Sequence, residues 1–279
     1  MKKRTIRADI IYYVFVVLFA FVMLYPILWM LASSLKPQTE IFSNAASLWP
    51  SEWKWENYLI GWQGFGRTGF DVYFRNSAFV TTIVVIGAIL SSSIVAYGFA
   101  RLKFRFKKLL FACLIATVML PVQITLIPQY ILFHNIGWVN TFYPLIVPAF
   151  LGGRRSLFFY SNLYAGYRES WMRRPLLMDA QRLGFFGRII LPLIKPALVT
   201  VAIFAFMWSW DDFLAPLIYL NSADIQTISL GLRNFMDAES GTSWGPLLAM
   251  SSLSLLPQFI IFLFFQKYLV EGIATTGLK

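Results

Sequence analysis

Residues 10–35 read IIYYVFVVLFAFVMLYPILWMLASSL, twenty-six positions without one charged side chain. A helix needs about 20 apolar residues to cross the hydrocarbon core of a bilayer, and this run exceeds that. The basic start, Met1-Lys-Lys-Arg-Thr-Ile-Arg7, invites comparison with a secretory signal. However, the run is longer than the ~7–15 residues of a cleaved apolar region, and no small-x-small cleavage site follows it. It therefore predicts a retained first transmembrane helix.

The rest of the chain repeats the pattern. Of 279 residues, 58% are hydrophobic and 13% charged, well below the roughly one quarter charged in soluble domains. Apolar runs predict six spans, at about 11–34, 77–99, 109–128, 142–160, 198–220 and 245–266, in an all-α membrane fold. The fourth is interrupted by Gly152, Gly153, Arg154 and Arg155. With the N-terminus inside, 19 of the 24 Lys and Arg residues fall on inner segments. The other five are Lys36, Lys54, Arg67, Arg75 and Arg233. The positive-inside rule thus puts both termini in the cytoplasm. It also explains the net charge of +11 without nucleic acid. Cys113 is the sole cysteine, so no intrachain disulfide is available. The outer segment 36–76 carries Trp49, Trp53, Trp55 and Trp62, expected as an aromatic belt at the membrane interface rather than as a sugar-stacking site. Residues 221–244 read as a short external cap, and no internal repeat is evident.

Catalysis by this chain is not expected. It lacks the Gly-x-x-x-x-Gly-Lys-[Ser/Thr] loop that cradles nucleotide phosphates. Its single histidine, His134, cannot anchor a catalytic triad, and no ligand cluster at metal-binding spacing surrounds it. Four strings carry more information. Trp208-Ser-Trp-Asp-Asp-Phe213 places Asp211 and Asp212 in the fifth expected span. A carboxylate near the bilayer centre costs about 2.5–3.5 kcal/mol and usually faces protein or a water-filled path. Successive helical residues diverge by about 100°, so one of the two is expected to face inward rather than both. The pair either lines a translocation path or lies near the outer mouth, solvated or capping a helix break. Small residues Ser91, Ser92, Ala96 and Gly98 allow close helix approach. Met119 to Tyr130, with Pro121 and Pro128, marks either a gate or the end of the third helix. In Arg188-Ile-Ile-Leu-Pro-Leu-Ile-Lys-Pro-Ala197, two prolines break an apolar run just before the chain re-enters the bilayer. That predicts a docking elbow.

Several strings together resemble the membrane subunits of binding-protein-dependent ABC importers, in particular the maltose-transporter type. They are Ala96-Tyr-Gly-Phe-Ala-Arg-Leu-Lys-Phe104, Leu120-Pro-x-Gln-x-x-x-Ile-Pro-x-Tyr130 and Asn140-Thr-Phe-Tyr-Pro-Leu-Ile-Val-Pro-Ala149. Arg188–Ala197, Trp210-x-Asp-Phe213 and Tyr268-Leu-Val-Glu-Gly-Ile273 complete the series in order. The resemblance implies a type I ABC importer transmembrane domain over 72–266, preceded by an N-terminal helix and external segment (1–71) and followed by a cytoplasmic tail (267–279). It implies a multi-pass sugar permease of the bacterial cytoplasmic membrane, surrounded by lipid. Its partners would be a second permease, cytoplasmic ATP-binding subunits and an external solute-binding protein. ATP and Mg would sit on the ATPase, with no cofactor on this chain. Coupling would fall to Gly184, Arg188, Leu191, Pro192 and Pro196, and the path to Trp210, Asp211, Asp212 and Phe213.

Two departures stand out. Asp211 replaces the amide of the family's Trp-Asn-Asp-Phe. The family's coupling loop also carries Glu-Ala-Ala…Asp-Gly about twenty residues before Leu-Pro-Leu. Here that stretch reads Arg168-Glu-Ser-Trp-Met-Arg-Arg-Pro-Leu-Leu-Met-Asp-Ala180. Suppose Ser170–Pro175 is encoded AGC TGG ATG AGG CGG CCN after a G. One base earlier, those nucleotides read Glu-Leu-Asp-Glu-Ala-Ala. Continued, Leu177–Ala180 becomes Ile-Asp-Gly-Cys, and upstream Ala165–Arg168 is compatible with Gly-Ile-Pro. A run of about ten matches without a gap points to a compensated frameshift opening near Gly153 and closing near Phe185. The competing explanation is simple divergence of the loop. Two alternatives to a coupled importer follow. One is a stand-alone secondary transporter or channel, which predicts an ion relay and mirrored halves. The other is a non-coupling permease remnant.

Overall fold

The computed structural model describes residues 6–64, 68–101, 104–152, 187–188, 191–236 and 242–277. Among these the architecture is helical. In chain order the helices are α1 (Ile6–Ser33), α2 (Glu40–Ser43), α3 (Glu56–Gln63), α4 (Phe70–Arg101), α5 (Lys107–Met119) and α6 (Val122–Asn135). Then come α7 (Tyr143–Phe150), a single turn at Leu191–Leu193, α8 (Lys195–Trp210), α9 (Leu214–Tyr219), α10 (Ile228–Asn234) and α11 (Trp244–Gly277). Three described helices contain membrane-length apolar segments: Asp9–Ser33, Phe70–Phe99 and Trp244–Tyr268. Lys107–Thr117 with Val122–Asn135 makes a fourth if that bent pair is one span.

The expected third and fifth spans are not continuous helices. Between α5 and α6 the chain bends by 100°. Leu120 is extended there, with φ −67° and ψ 131°, because it precedes Pro121 and proline's Cδ disfavours a helical conformation in the residue before it. Pro128, by contrast, is accommodated inside α6. The fifth span divides into α8, 16 residues long, and the short α9. The fourth is helical from Tyr143 to Phe150, and its continuation lies outside the described residues.

Two compact units share the chain: Met1–Asp71 with Gly231–Leu255, and Val72–Leu230 with Leu256–Lys279. In the first unit, the last turn of α1 leads into a tightly bonded loop. Trp29 Nε1 donates to Ala45 O at 2.8 Å, and Lys54 N donates to Leu35 O at 2.8 Å. Asn57 Nδ2 bridges the carbonyls of Ser34 and Lys36 at 2.8 and 3.1 Å. Lys36, expected as an outer charge, is fully buried, and its Nζ donates to Asn44 O at 3.0 Å and to Ser47 O at 2.5 Å. Glu40 accepts from Ser51 Oγ at 2.6 Å and from Ser51 N at 3.1 Å. Those bonds hold its carboxyl below the usual carboxylate range. Gln38 ties the loop to the start of α11, donating to Thr242 O and accepting from Gly245 N.

The second unit is organised on α4. Ala88 and Ala96 pack with Leu114 of α5 and with Val201 and Ala205 of α8. Ser91 Oγ donates to Ala149 O of α7 at 2.8 Å. One turn earlier, a Cβ on Gly87 would lie 2.8 Å from the Phe150 ring and 3.1 Å from Ala149 Cβ. Small side chains thus set the α4–α7 approach, as membrane helix packing favours. Ser91, Ser92 and Ala96 are buried as expected. Among the described residues, nothing lies within 4 Å of a Cβ built on Gly98.

Candidate functional site

The elbow and the aspartate pair lie at opposite ends of one helix. At the elbow, Ile194 leaves helical geometry with φ −90° and ψ 6°, separating the Leu191–Leu193 turn from α8. Pro196 sits in the first turn of α8, where the missing N–H costs no hydrogen bond and the fixed φ suits a helix start. It begins the helix rather than interrupting one. Arg188, Pro192, Lys195 and Pro196 are exposed, while Leu191 is half-buried. Ile194, Ala197 and Leu198 pack on the core of α4 and α5. The elbow therefore presents charge and proline outward while its apolar side is fixed to the bundle. Thr200 Oγ1 also donates to Tyr268 O at 3.3 Å, joining this end of α8 to α11. Gly184, the remaining expected coupling residue, lies outside the described residues, as does the whole stretch 153–186.

At its other end, about 24 Å away for 16 residues at helical rise, α8 stops at Trp210. Trp210 is buried, stacked on Phe206 at 5.3 Å and edge-on to Phe74 at 5.4 Å. It is a packing residue within this chain and does not face open space. Asp211 and Asp212 occupy the break between α8 and α9. Asp211 is exposed, and Asp212 is half-buried with Oδ1 accepting from Ala215 N at 3.4 Å. Because the helix ends at Trp210, the 100° divergence expected for neighbours in one helix does not apply. Asp212 reaches the first turn of α9 through that hydrogen bond. Phe213 is 40% exposed beside it.

The segment after α9 is held from two sides. Asn140, at φ 62°, donates from Nδ2 to Ser222 Oγ at 2.8 Å. Its Oδ1 accepts from the backbone N–H groups of Asn221 and Ser222 at 3.0 and 2.9 Å, and its own N–H donates to Tyr219 O at 2.7 Å. On the other side, Asn76 Nδ2 donates to Asp224 O and Gln226 O, and Ser77 Oγ accepts from Ile228 N. Asparagine tolerates left-handed geometry better than most residues, and here it also supplies side-chain bonds on both its polar atoms. The sequence reading placed Asn140 in a family string but missed its role as a clasp. The Asn140-Thr-Phe-Tyr-Pro string was the available signal. An open apolar groove of about 720 Å³ lies beside this clasp, lined in part by Phe79, Ile83, Tyr143, Ile146 and Phe150. None of Trp210–Phe213 lines it.

The sequence profile described as "Binding-protein-dependent transport system inner membrane component" matches residues 83–274. The chain belongs to that family. Among its relatives, the Bacillus subtilis protein described as "Probable ABC transporter permease protein YurM" is 33% identical over 268 residues, covering 96% of this chain and 87% of the relative. The arabinooligosaccharide transport permease AraQ of Halalkalibacterium halodurans is 30% identical, covering 93% and 92%. The sn-glycerol-3-phosphate transport permease UgpE of Brucella suis is 24% identical, covering 96% and 97%. A bacterial ABC transporter that imports alginate shares the fold, with a TM-score of 0.76 at 17% identity over 96% of this chain and 99% of the other.

Proposed function

We infer that the chain is one permease subunit of an ABC importer for a mono- or oligosaccharide. The match over residues 83–274 carries this reading, and relatives named for arabinooligosaccharide and diacetylchitobiose uptake support the sugar class. A stand-alone transporter or channel is not favoured by that family assignment. Six spans with both termini inside, in the bacterial cytoplasmic membrane, account for the charge distribution. ATP and Mg are assigned to partner ATPases, and a second permease and an external solute-binding protein complete the assembly.

In this reading the elbow at Arg188, Leu191, Pro192 and Pro196 receives the movement of the ATPase. An α-helix is stiff along its axis, so displacement at Lys195 is passed to the break at Asp211–Phe213. There Asp212 accepts from Ala215 N at the start of α9 at 3.4 Å, and the break can bend without unwinding either helix. Co-expression with its cognate partners is expected to recover the chain in a complex with a P-loop ATPase. Uptake by reconstituted liposomes should then require that ATPase and ATP. Uptake by the purified chain alone would overturn the assignment.

The frameshift reading concerns residues outside the described part and remains a proposal from sequence. Glu169 and Asp179 are the only acids between Gly153 and Pro196, and Pro175 interrupts any helix there, so the printed loop is a poor docking element. Mass spectrometry of the natural protein is expected to lack the tryptic peptide ending Ser170-Trp-Met-Arg173 and to contain one with the Glu-Leu-Asp-Glu-Ala-Ala sequence. Detection of the printed peptide would place the altered loop in the living protein and predict an importer that does not couple.

A further inference from the structure

Trp49, Trp53 and Trp55 are 74%, 46% and 63% exposed. Trp49 meets Trp53 edge-on at 5.7 Å, and Trp53 stacks on Trp55 at 6.1 Å with planes 14° apart. Three large rings thus form one uncovered aromatic surface within the first unit. We propose that this loop is a second membrane anchor, which sets its three indoles among the lipid headgroups at the C-terminal end of α1.

The depth of the loop follows from what it is bonded to. The apolar segment Asp9–Ser33 is 25 residues long and none of its apolar window is buried within the chain. At helical rise it measures about 37 Å, against a hydrocarbon core of about 30 Å. The uncharged run ends at Leu35, so we place the exit of α1 near the interfacial layer. The loop is fastened to that turn and its immediate exit: Ala45 to Trp29, Asn44 and Ser47 to Lys36, and Lys54 to Leu35. With both flanks pinned there, Trp49, Trp53 and Trp55 cannot stand far from the membrane surface.

The chemistry of the loop favours lipid over a sugar. Indole combines an apolar body with one N–H donor and partitions to the boundary between acyl chains and water. The flanking polar side chains are already occupied. Ser47 Oγ bonds to the backbone of Trp49, Ser51 bonds to Glu40, and Glu52 pairs with Lys54 at 2.8 Å. These engagements disfavour a sugar platform, which would need polar groups converging on the rings. The Glu52–Lys54 pair engages the one cation set between Trp53 and Trp55. Trp62 is outside the cluster, against Phe70 at 6.2 Å.

The test uses the full chain labelled with 5-fluorotryptophan in phosphatidylcholine nanodiscs, with fluorine resonances assigned by single Trp→Phe variants. Nitroxide carried on the lipid headgroup is expected to broaden the Trp49, Trp53 and Trp55 signals beyond detection. A water-soluble gadolinium chelate is expected to leave them largely intact. The reverse pattern would place the rings in water and overturn the proposal. So would insensitivity to lipid nitroxide combined with shifts on adding a solute-binding protein. Neither outcome depends on transport, so failure here leaves the permease assignment standing.

Discussion

Gly87→Leu is expected to lower the thermal stability of the purified chain sharply and to abolish uptake by the assembled importer. Even a methyl at Gly87 would meet the Phe150 ring at 2.8 Å and Ala149 Cβ at 3.1 Å. Phe150 is 42% exposed, so its ring can swing outward to admit that single carbon. Ala149 has no such freedom, because its Cβ moves only with the backbone of α7. Three further carbons in a leucine must push α7 away from α4, an overpacking cost of about 1–3 kcal/mol. The same displacement breaks the 2.8 Å bond from Ser91 Oγ to Ala149 O, worth about 1 kcal/mol more. Gly87→Ala should be mild and Ser91→Ala should cost only the hydrogen bond. The melting midpoints of the three variants in detergent decide the matter. Wild-type stability for Gly87→Leu would show that this contact does not hold α7.

Lys36→Met should open the loop between α1 and α3. The Lys36 side chain is fully buried, and its ammonium donates to the carbonyls of Asn44 and Ser47. Methionine fills a similar volume but offers no donor. Each carbonyl loses a hydrogen bond from a charged donor, worth about 1.5–3 kcal/mol, and Glu40 loses a nearby positive charge that helps to keep it ionised. A loss of about 3 kcal/mol corresponds to amide exchange faster by roughly 100-fold. Hydrogen exchange over residues 44–54 should show that acceleration, with exchange in α4 unchanged. Lys36→Arg, which keeps donors and charge, should recover part of the protection. Native exchange in Lys36→Met would remove the lysine from its assigned role.

Both effects concern residues whose importance the linear sequence concealed. Lys36 counts as an outer cation in a charge tally, and Gly87 is one glycine in an apolar run. Other features of the site were legible because they follow from local rules. Pro121 forces Leu120 out of the helix, and Pro196 starts α8, each through proline's own ring and missing N–H. The family resemblance is carried by the ordered strings from Ala96 to Ile273.

The sequence by itself determined that this is a helical membrane chain of the binding-protein-dependent permease family. Hydrophobic run length sets the first, and ordered motifs set the second. Only the tertiary structure decided that Trp210 packs inward, that Asp212 bonds to Ala215 N in the first turn of α9 and that Asn140 clasps Ser222, 82 residues away. The physical reason is that a membrane helix is apolar on nearly every face, so periodicity does not tell which side packs. Hydrogen bonds between distant loops leave no local pattern at all. They exist only once the helices have brought their ends together.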